Sequence, residues 1–285
     1  MATEYKLTYY PWITQGKEPA VIRANIEILA ESATKELQAI TGGTDTIKVQ
    51  DPLEVPEQIE SIVSGESQIA LMNPIGFVFA KQKSKEVDVA ALALRIIDGQ
   101  VGETYFSQIY THVDTGIKSL NDLKKKSMGY GASFSTSNFL VAAHELLENH
   151  LHPFITFSKT AFLGGHQLVA KAVYAKQIDA GAGHDGVIID LAAVPGYEDA
   201  KDKLVTIHRS QPIISDPVAF NIANKDDFKN VRKALVKASL QSPAKEAIAI
   251  FWGNAQGLKK TNYKPYKKLL VAVKALQLTE EDIFG

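Results

Sequence analysis

Short runs of strand-forming residues alternate with helix-period segments along this chain, and few folds accommodate that order. Residues 5–10 read as a strand, 22–40 as a helix, 46–50 as a strand, 56–64 as a helix, and 68–72 and 87–97 as further strands. Two strands joined through a helix run the same way, because the crossover returns the chain to the end it left. The pattern predicts an α/β architecture on parallel strands rather than a sandwich or a helical bundle. Ligands of such sheets sit beyond the carboxyl ends of the strands, so the residues that follow each strand are the ones to read for chemistry.

With 285 residues the chain exceeds the usual single domain, and two lobes of roughly 100 to 200 residues each are expected. A weak internal echo agrees. Residues 60–73 and 169–182 both run from a helix through Gln-Ile into a short strand of small and apolar residues, as corresponding pieces of two similar lobes would. The first echo ends at Asn73-Pro74, and the second leads into Gly183-His184-Asp185. Residues 105–112 mark the passage from first lobe to second and 204–214 the return, with helices over 231–240 and 244–252 packing back on the first lobe. The expected division is 1–105 plus 212–285 for a discontinuous first lobe and 106–211 for the second.

Composition closes off several functions. Thirty-one basic against thirty-two acidic residues leave a net charge of −1 with no basic stripe, which argues against nucleic acid as a partner. The longest basic run, Lys124-Lys125-Lys126, reads as a solvated helix end. The absence of cysteine removes disulfides, thiolate nucleophiles and thiolate metal ligands. No segment approaches eighteen continuous apolar residues, and residues 1–6 lack the apolar core of a signal peptide. The expectation is a cytoplasmic protein or one whose leader was removed.

The segment Ala132-Ser133-Phe134-Ser135-Thr136-Ser137-Asn138 lies between a predicted strand (127–131) and a helix predicted to start near Phe139, and five of its seven residues carry short polar side chains. The first turn of a helix leaves N–H groups unpaired, with about half a positive charge at that end. Ser and Thr hydroxyls there add donors, so a tetrahedral oxyanion can be held without a cation. The plainer alternative is an N-cap among turn formers.

His166 follows Leu163-Gly164-Gly165 at a strand-to-helix turn and is a candidate donor to such an anion; an ordinary helix-start histidine is the alternative. Asp185 follows Ala180-Gly181-Ala182-Gly183, where missing side chains would let a ligand approach the backbone; Asp185-Gly186 is equally a common turn pair. Tyr9, Tyr10, Pro11 and Trp12 end the first strand and would form an aromatic wall, unless core packing claims the rings. Tyr105 at the first crossing has the same ambiguity, and Asn73 ends the first-lobe echo. A zinc-protease reading of His144, Glu145 and His150 fails, because residues six apart point about 240° around a helix. Neither a dinucleotide glycine motif, a phosphate-loop lysine nor a serine nucleophile elbow occurs, so no catalytic constellation, cofactor or metal is expected.

Ser135-Thr136-Ser137, the Gly165-His166 turn, the strand Ile178-Asp179-Ala180-Gly181-Ala182 and the segment from Gly116 to Lys124 together resemble the phosphonate/phosphate-binding (PhnD-like) family of ABC-transporter solute receptors. The similarity runs from about Tyr5 to the last helices and is densest from Tyr105 to Asp216. It implies a two-lobed periplasmic-binding-protein fold, type II-like, with a hinged interlobe cleft that closes on an oxyanion. It also implies that Ser135, Thr136 and Ser137 hold the phosphorus oxygens, with His166, Asp185 and Tyr105 beside them. Tyr10 and Asn73 are the expected ligand-binding residues of the first lobe. Two departures stand out: Asn138 replaces a common glycine after the Ser-Thr-Ser run, and Phe77 replaces a tyrosine after Asn73-Pro74.

The leading expectation is therefore a receptor that captures a phosphonate, phosphite or phosphate and delivers it to a membrane permease. It would be a monomer, periplasmic or extracellular and membrane-anchored. One alternative is a same-fold receptor for a phosphorylated heterocycle, with Tyr10, Trp12 and Phe77 stacking on the ring. The other is an enzyme of the related fold using His166 and Asp185 as an acid/base pair.

Overall fold

The computed structural model describes residues 2–14, 16–97 and 99–284. The chain opens with β1 (Glu4–Tyr9), α1 (Pro19–Thr41), β2 (Thr46–Val49), α2 (Val55–Ser64), β3 (Ile69–Leu71), α3 (Pro74–Lys83) and β4 (Val87–Ala93). A hairpin, β5 (Arg95–Ile97) and β6 (Gln100–Gly102), and the short β7 (Thr104–Tyr105) follow. Next come β8 (Ser107–His112), β9 (Ser127–Tyr130), α4 (Val141–Glu148), β10 (Lys159–Phe162), α5 (His166–Tyr174) and β11 (Ala180–His184). After α6 (Val187–Ala192), α7 (Ala200–Lys203), β12 (Leu204–Arg209) and β13 (Ile213–Ile214), the chain forms β14 (Pro217–Asn221), α8 (Lys225–Ala238), α9 (Ala244–Phe251) and β15 (Leu258–Lys260). It finishes with α10 (Lys268–Ala275) and α11 (Glu280–Phe284). Two compact units result, Met1–Thr104 with Ile214–Lys267, and Tyr105–Ile213 with Lys268–Gly285.

The first unit is a six-stranded sheet in the order β15-β4-β14-β3-β1-β2. α1 and α2 form where the apolar spacing predicts them, α3 is a further helix between β3 and β4, and α8 begins six residues before the expected start at 231. Ile22, Ile26, Leu29, Ala33 and Leu37 line the buried stripe of α1, and Gly42, at φ 68°, stops it in the left-handed conformation that glycine adopts without a Cβ penalty. A capping box between Glu54 and Glu57 starts α2. The second unit is a five-stranded sheet in the order β10-β9-β11-β8-β12. On one side, Met128, Tyr130 and Ala180 of the strands cluster with Phe139 and with Leu146 of α4. On the other, Tyr110 of β8 clusters with Val169 and Val173 of α5 and with Val187 and Leu191 of α6.

Four expectations need correction. The sheets are mixed rather than parallel: β14 runs antiparallel to β3 and β4, and β8 antiparallel to β11 and β12. The returning strand enters each sheet without a helical crossover, so nothing imposes the parallel sense. The strand predicted over 87–97 breaks at Leu94, whose N–H bonds to the Gly257 carbonyl while Arg95 turns into the β5–β6 hairpin. The small residues of β11 make room for helices rather than for a ligand: a Cβ on Gly181 would lie 2.4 Å from Val169 Cγ1, and one on Gly183 2.7 Å from Val187 Cγ1. Finally, residues 268–285 fall in the second unit. Leu276 and Leu278 pack on the core around Phe139, and the Ser133 hydroxyl donates to the Ile283 carbonyl at 2.7 Å. These apolar residues bury against α4 and its neighbours, a tertiary preference that periodicity does not encode.

Candidate functional site

One edge of the second-unit sheet collects the polar residues that the sequence singled out. β9 ends there at Tyr130, β11 at His184 and β12 at Arg209, while antiparallel β8 begins there at Ser107. The segment after β9 turns into a helix earlier than predicted. Ser135 is the N-cap, accepting the Asn138 N–H at 3.2 Å, and Thr136–Leu140 form a single wide turn closed by the Leu140 N–H on the Ser135 carbonyl at 3.1 Å. Such wide turns place an extra residue in the first coil and recur at functional sites.

The Ser-Thr-Ser turn is tied down by its neighbours. The Ser107 hydroxyl donates to the Ser137 carbonyl at 2.6 Å, and the Gly131 N–H donates to Asn138 Oδ1. Asn138 is fully buried, and its Nδ2 has no partner among the described residues. Thr136 and Ser137 are buried as well. The departure at Asn138 thus has a structural content: its carboxamide caps the end of β9.

Ser107 pairs across the ladder with His184, and the His184 ring meets His166 edge-on with centroids 4.7 Å apart. His166 Nδ1 accepts the His184 backbone N–H at 3.2 Å, which leaves the ring proton on Nε2 as a donor. Burial, with His184 adding to it, holds the His166 pKa well below the ordinary histidine value of 6.5. The ring is therefore neutral at physiological pH. His184 is oriented in the same way: its Nδ1 accepts the Gly186 N–H at 3.1 Å and its Nε2 lies 3.2 Å from Asp190 Oδ2.

Asp185 joins this edge through its N–H, which bonds to the Phe106 carbonyl at 3.1 Å. Its carboxylate lies 4.0 Å from Arg209 Nη2, and the Arg209 guanidinium stacks over the Phe106 ring at 3.8 Å. The Gln108 side-chain amide donates to the His184 and Asp185 carbonyls at 3.1 and 3.4 Å, and its oxygen accepts from Thr206. The structure therefore brings Ser135, Thr136, Ser137, His166 and Asp185 into one network, and it adds Ser107, His184 and Arg209. Sequence reasoning missed Arg209, one of four arginines in the chain and the last residue of a strand at this edge. That position was the available signal; its stacking on Phe106 joins residues a hundred apart and was not.

Tyr105 is buried at the start of the second unit. In the first unit Asn73 is the N-cap of α3, accepting the Gly76 N–H at 2.7 Å. Tyr9 and Tyr10 are buried, whereas Trp12 is 53% exposed. Phe77 is fully buried and packs edge-on against Tyr266 and Tyr263, with centroids at 5.1 and 5.8 Å. It belongs to the core, so the expected stacking of Phe77 on a ligand ring is withdrawn. Among the described residues no three His, Asp or Glu side chains converge as a metal ion requires.

Comparison with known proteins concerns the chain as a whole. A family model described as ABC transporter, phosphonate, periplasmic substrate-binding protein matches residues 15–266. PhnD1 from Prochlorococcus marinus in complex with methylphosphonate superposes with a TM-score of 0.75 at 17% identity, covering 97% of this chain and 99% of that one. A binding protein component of an ABC phosphonate transporter from Pseudomonas aeruginosa gives 0.72 at 17%, covering 97% and 87%. XAC2383 from Xanthomonas citri bound to ATP gives 0.76 at 15%, covering 97% and 98%. At these identities the likeness is one of fold, the periplasmic-binding-protein fold.

Proposed function

The chain belongs to the periplasmic phosphonate-binding family of ABC-transporter substrate-binding proteins, and from that premise we propose that its second unit binds a phosphorus oxyanion at the edge formed by Ser135, Thr136, Ser137, His166 and Arg209. Membership implies a small ligand and a membrane permease as partner. The finer reading is that a phosphonate, phosphite or phosphate is captured by a monomeric receptor, periplasmic or extracellular and membrane-anchored, that carries out no chemistry on it.

The observation that carries this reading is the convergence of donors on one edge. The turn at residues 136–140 opens a helix, whose start carries the positive end of the dipole. His166 is fixed as a neutral Nε2–H donor by its bond from His184. Arg209 supplies a positive charge within reach of Asp185. A tetrahedral anion matches such a set, and a mismatched ligand leaves buried donors unpaired, which costs about 1–3 kcal/mol for each group. Asp185, held beside Arg209, favours an anion that retains a P–OH proton or bears an ammonium.

Exposure of Trp12 favours a second reading, an organic phosphate whose ring rests on that indole. Thermal denaturation with phosphate, phosphite, methylphosphonate, aminoethylphosphonate, sulfate and thiamine phosphate separates the two. A ligand at 100 times its Kd adds about 2.7 kcal/mol of stability. A shift with one small phosphorus oxyanion, abolished by Thr136→Val, supports the first reading. A shift confined to the ring-bearing phosphate and removed by Trp12→Ala supports the second, and no shift with any member refutes both.

A further inference from the structure

We propose that the final helix, α11, is a positioning clamp on the anion-binding turn, acting through the bond from the Ser133 hydroxyl to the Ile283 carbonyl. The inference rests on the functional reading above and extends it, since nothing in that reading gives residues 268–284 a role.

The turn at 135–140 is entered through Ala132, Ser133 and Phe134. Ser107 donates to the Ser137 carbonyl within the turn, and Asn138 accepts the Gly131 N–H at the entry to the loop, where the Gly131 carbonyl accepts the Gly164 N–H at 2.8 Å. The Ser135 N–H bonds to the Ala132 carbonyl within the loop. Ser133 adds a further long-range tie: its Oγ lies 2.7 Å from the carbonyl of Ile283, 150 residues away in sequence. The geometry also settles what Ser133 does. A hydroxyl whose single proton points at a carbonyl has none to offer an oxyanion, so Ser133 positions the turn while donation to a ligand falls to its neighbours.

The far end of this tie is itself held. α11 begins at a cap in which Asp282 Oδ2 accepts the Thr279 N–H at 2.7 Å and the Thr279 hydroxyl accepts the Asp282 N–H at 3.1 Å. The Ile283 side chain is 1% exposed. Leu276 and Leu278, just before the helix, pack on the core that contains Phe139, a residue of the anion-binding turn. The last carbonyls of a helix lack partners within it, and Ser133 satisfies one of them. The loop and the helix thus complete each other: the helix end gains a donor, and the loop gains an anchor that does not move with it.

Ser133→Ala, Ser133→Thr and a chain ended by a stop codon at Thr279 test this, with two readouts. The first is amide hydrogen exchange at residues 135–140 in the ligand-free protein, which requires no knowledge of the ligand. The second is calorimetric binding of methylphosphonate and of inorganic phosphate. The clamp predicts exchange faster by about three- to tenfold in Ser133→Ala, the factor that one net hydrogen bond represents, with a similar loss of affinity and recovery of both in Ser133→Thr. The shortened chain should reproduce both losses with Ser133 intact. If the shortened chain does not fold, the Ala/Thr pair decides. Unchanged exchange in Ser133→Ala overturns the clamp. So does weakened binding in Ser133→Ala with full binding in the shortened chain, because Ser133 would then touch the ligand directly. Failure of the unaltered protein to bind either probe refutes the functional reading instead, and the exchange readout still decides the clamp.

Discussion

Gly131→Ala is the substitution that most directly probes how the turn at residues 135–140, the proposed anion site, is built. Gly131 has no left-handed backbone angle, so alanine meets no conformational penalty there, and any effect comes from the space around it. A Cβ at this position would lie 2.6 Å from both Cγ and Oδ1 of Asn138 and 2.8 Å from its Nδ2. Atoms do not approach that closely, so the fully buried carboxamide must move and lose its bond from the Gly131 N–H. Overpacking of this kind costs about 1–3 kcal/mol, and a buried N–H left without a partner about 1–3 more. At about 2–4 °C per kcal/mol for a chain of somewhat smaller size, the thermal midpoint should fall by roughly 4–24 °C. Ligand affinity should fall with it, because Asn138 lies in the turn. The second arm is Gly131→Ala with Asn138→Ala, in which the new methyl enters the space the carboxamide leaves. The pair should be more stable than the sum of the single changes by at least about 1 kcal/mol. Strict additivity, or a Gly131→Ala protein as stable as the parent, would refute the account of Asn138 as the group that caps β9.

Three further outcomes follow from the same coordinates. The folded pKa of His166 is depressed, so its contribution to stability is complete above the unfolded value of about 6.5 and is lost as pH falls below it; the thermal midpoint of the ligand-free parent should drop between about pH 7 and 5 more steeply than that of His166→Gln. Glu145 is held below the ordinary carboxylate range chiefly by its bond from His208, with the Gln211 N–H a further donor. Its contribution is present above the unfolded carboxyl value of about 4.3 and lost as pH falls through the folded one, so urea midpoints of parent and Glu145→Gln should converge on acidification. Gly181→Ala drives a methyl into Val169 and Val173 and should destabilise by about 1–3 kcal/mol, while ligand affinity measured well below the melting temperature stays near the parent's; a selective loss of affinity would restore the idea that this strand is small for the ligand's sake.

Local rules carried much of the fold. The buried stripe of α1 and the strand–helix alternation through β3 follow from spacing within a few residues of each position, and the structure reproduces them, while α3, between β3 and β4, was not among the expected helices. The echo between residues 60–73 and 169–182 corresponds to two real helix–strand pieces, α2–β3 and α5–β11. The turn at residues 135–140 was legible as a polar cluster before a helix, and His166 as the residue opening the next one. Other features have no local signature. The sense of β14 and β8, the assignment of α10 and α11 to the second unit, and the glycines of β11 depend on which surfaces bury against which. Phe77 and Trp12 show the limit most simply: both are aromatic residues near strand ends, yet one is sealed in the core and the other is half exposed.

The sequence by itself determined the α/β alternation and the presence of hydroxyl donors at a helix start, because propensity, periodicity and capping act over three or four residues. Only the tertiary structure decided that Arg209 stacks on Phe106 beside Asp185, that His184 fixes the proton of His166 on Nε2, and that Ser107, Asn138 and Ile283 hold the turn from three sides. Those contacts join residues up to 150 positions apart, and they exist because the sheet and its helices, once packed, bring distant strand ends to a common edge.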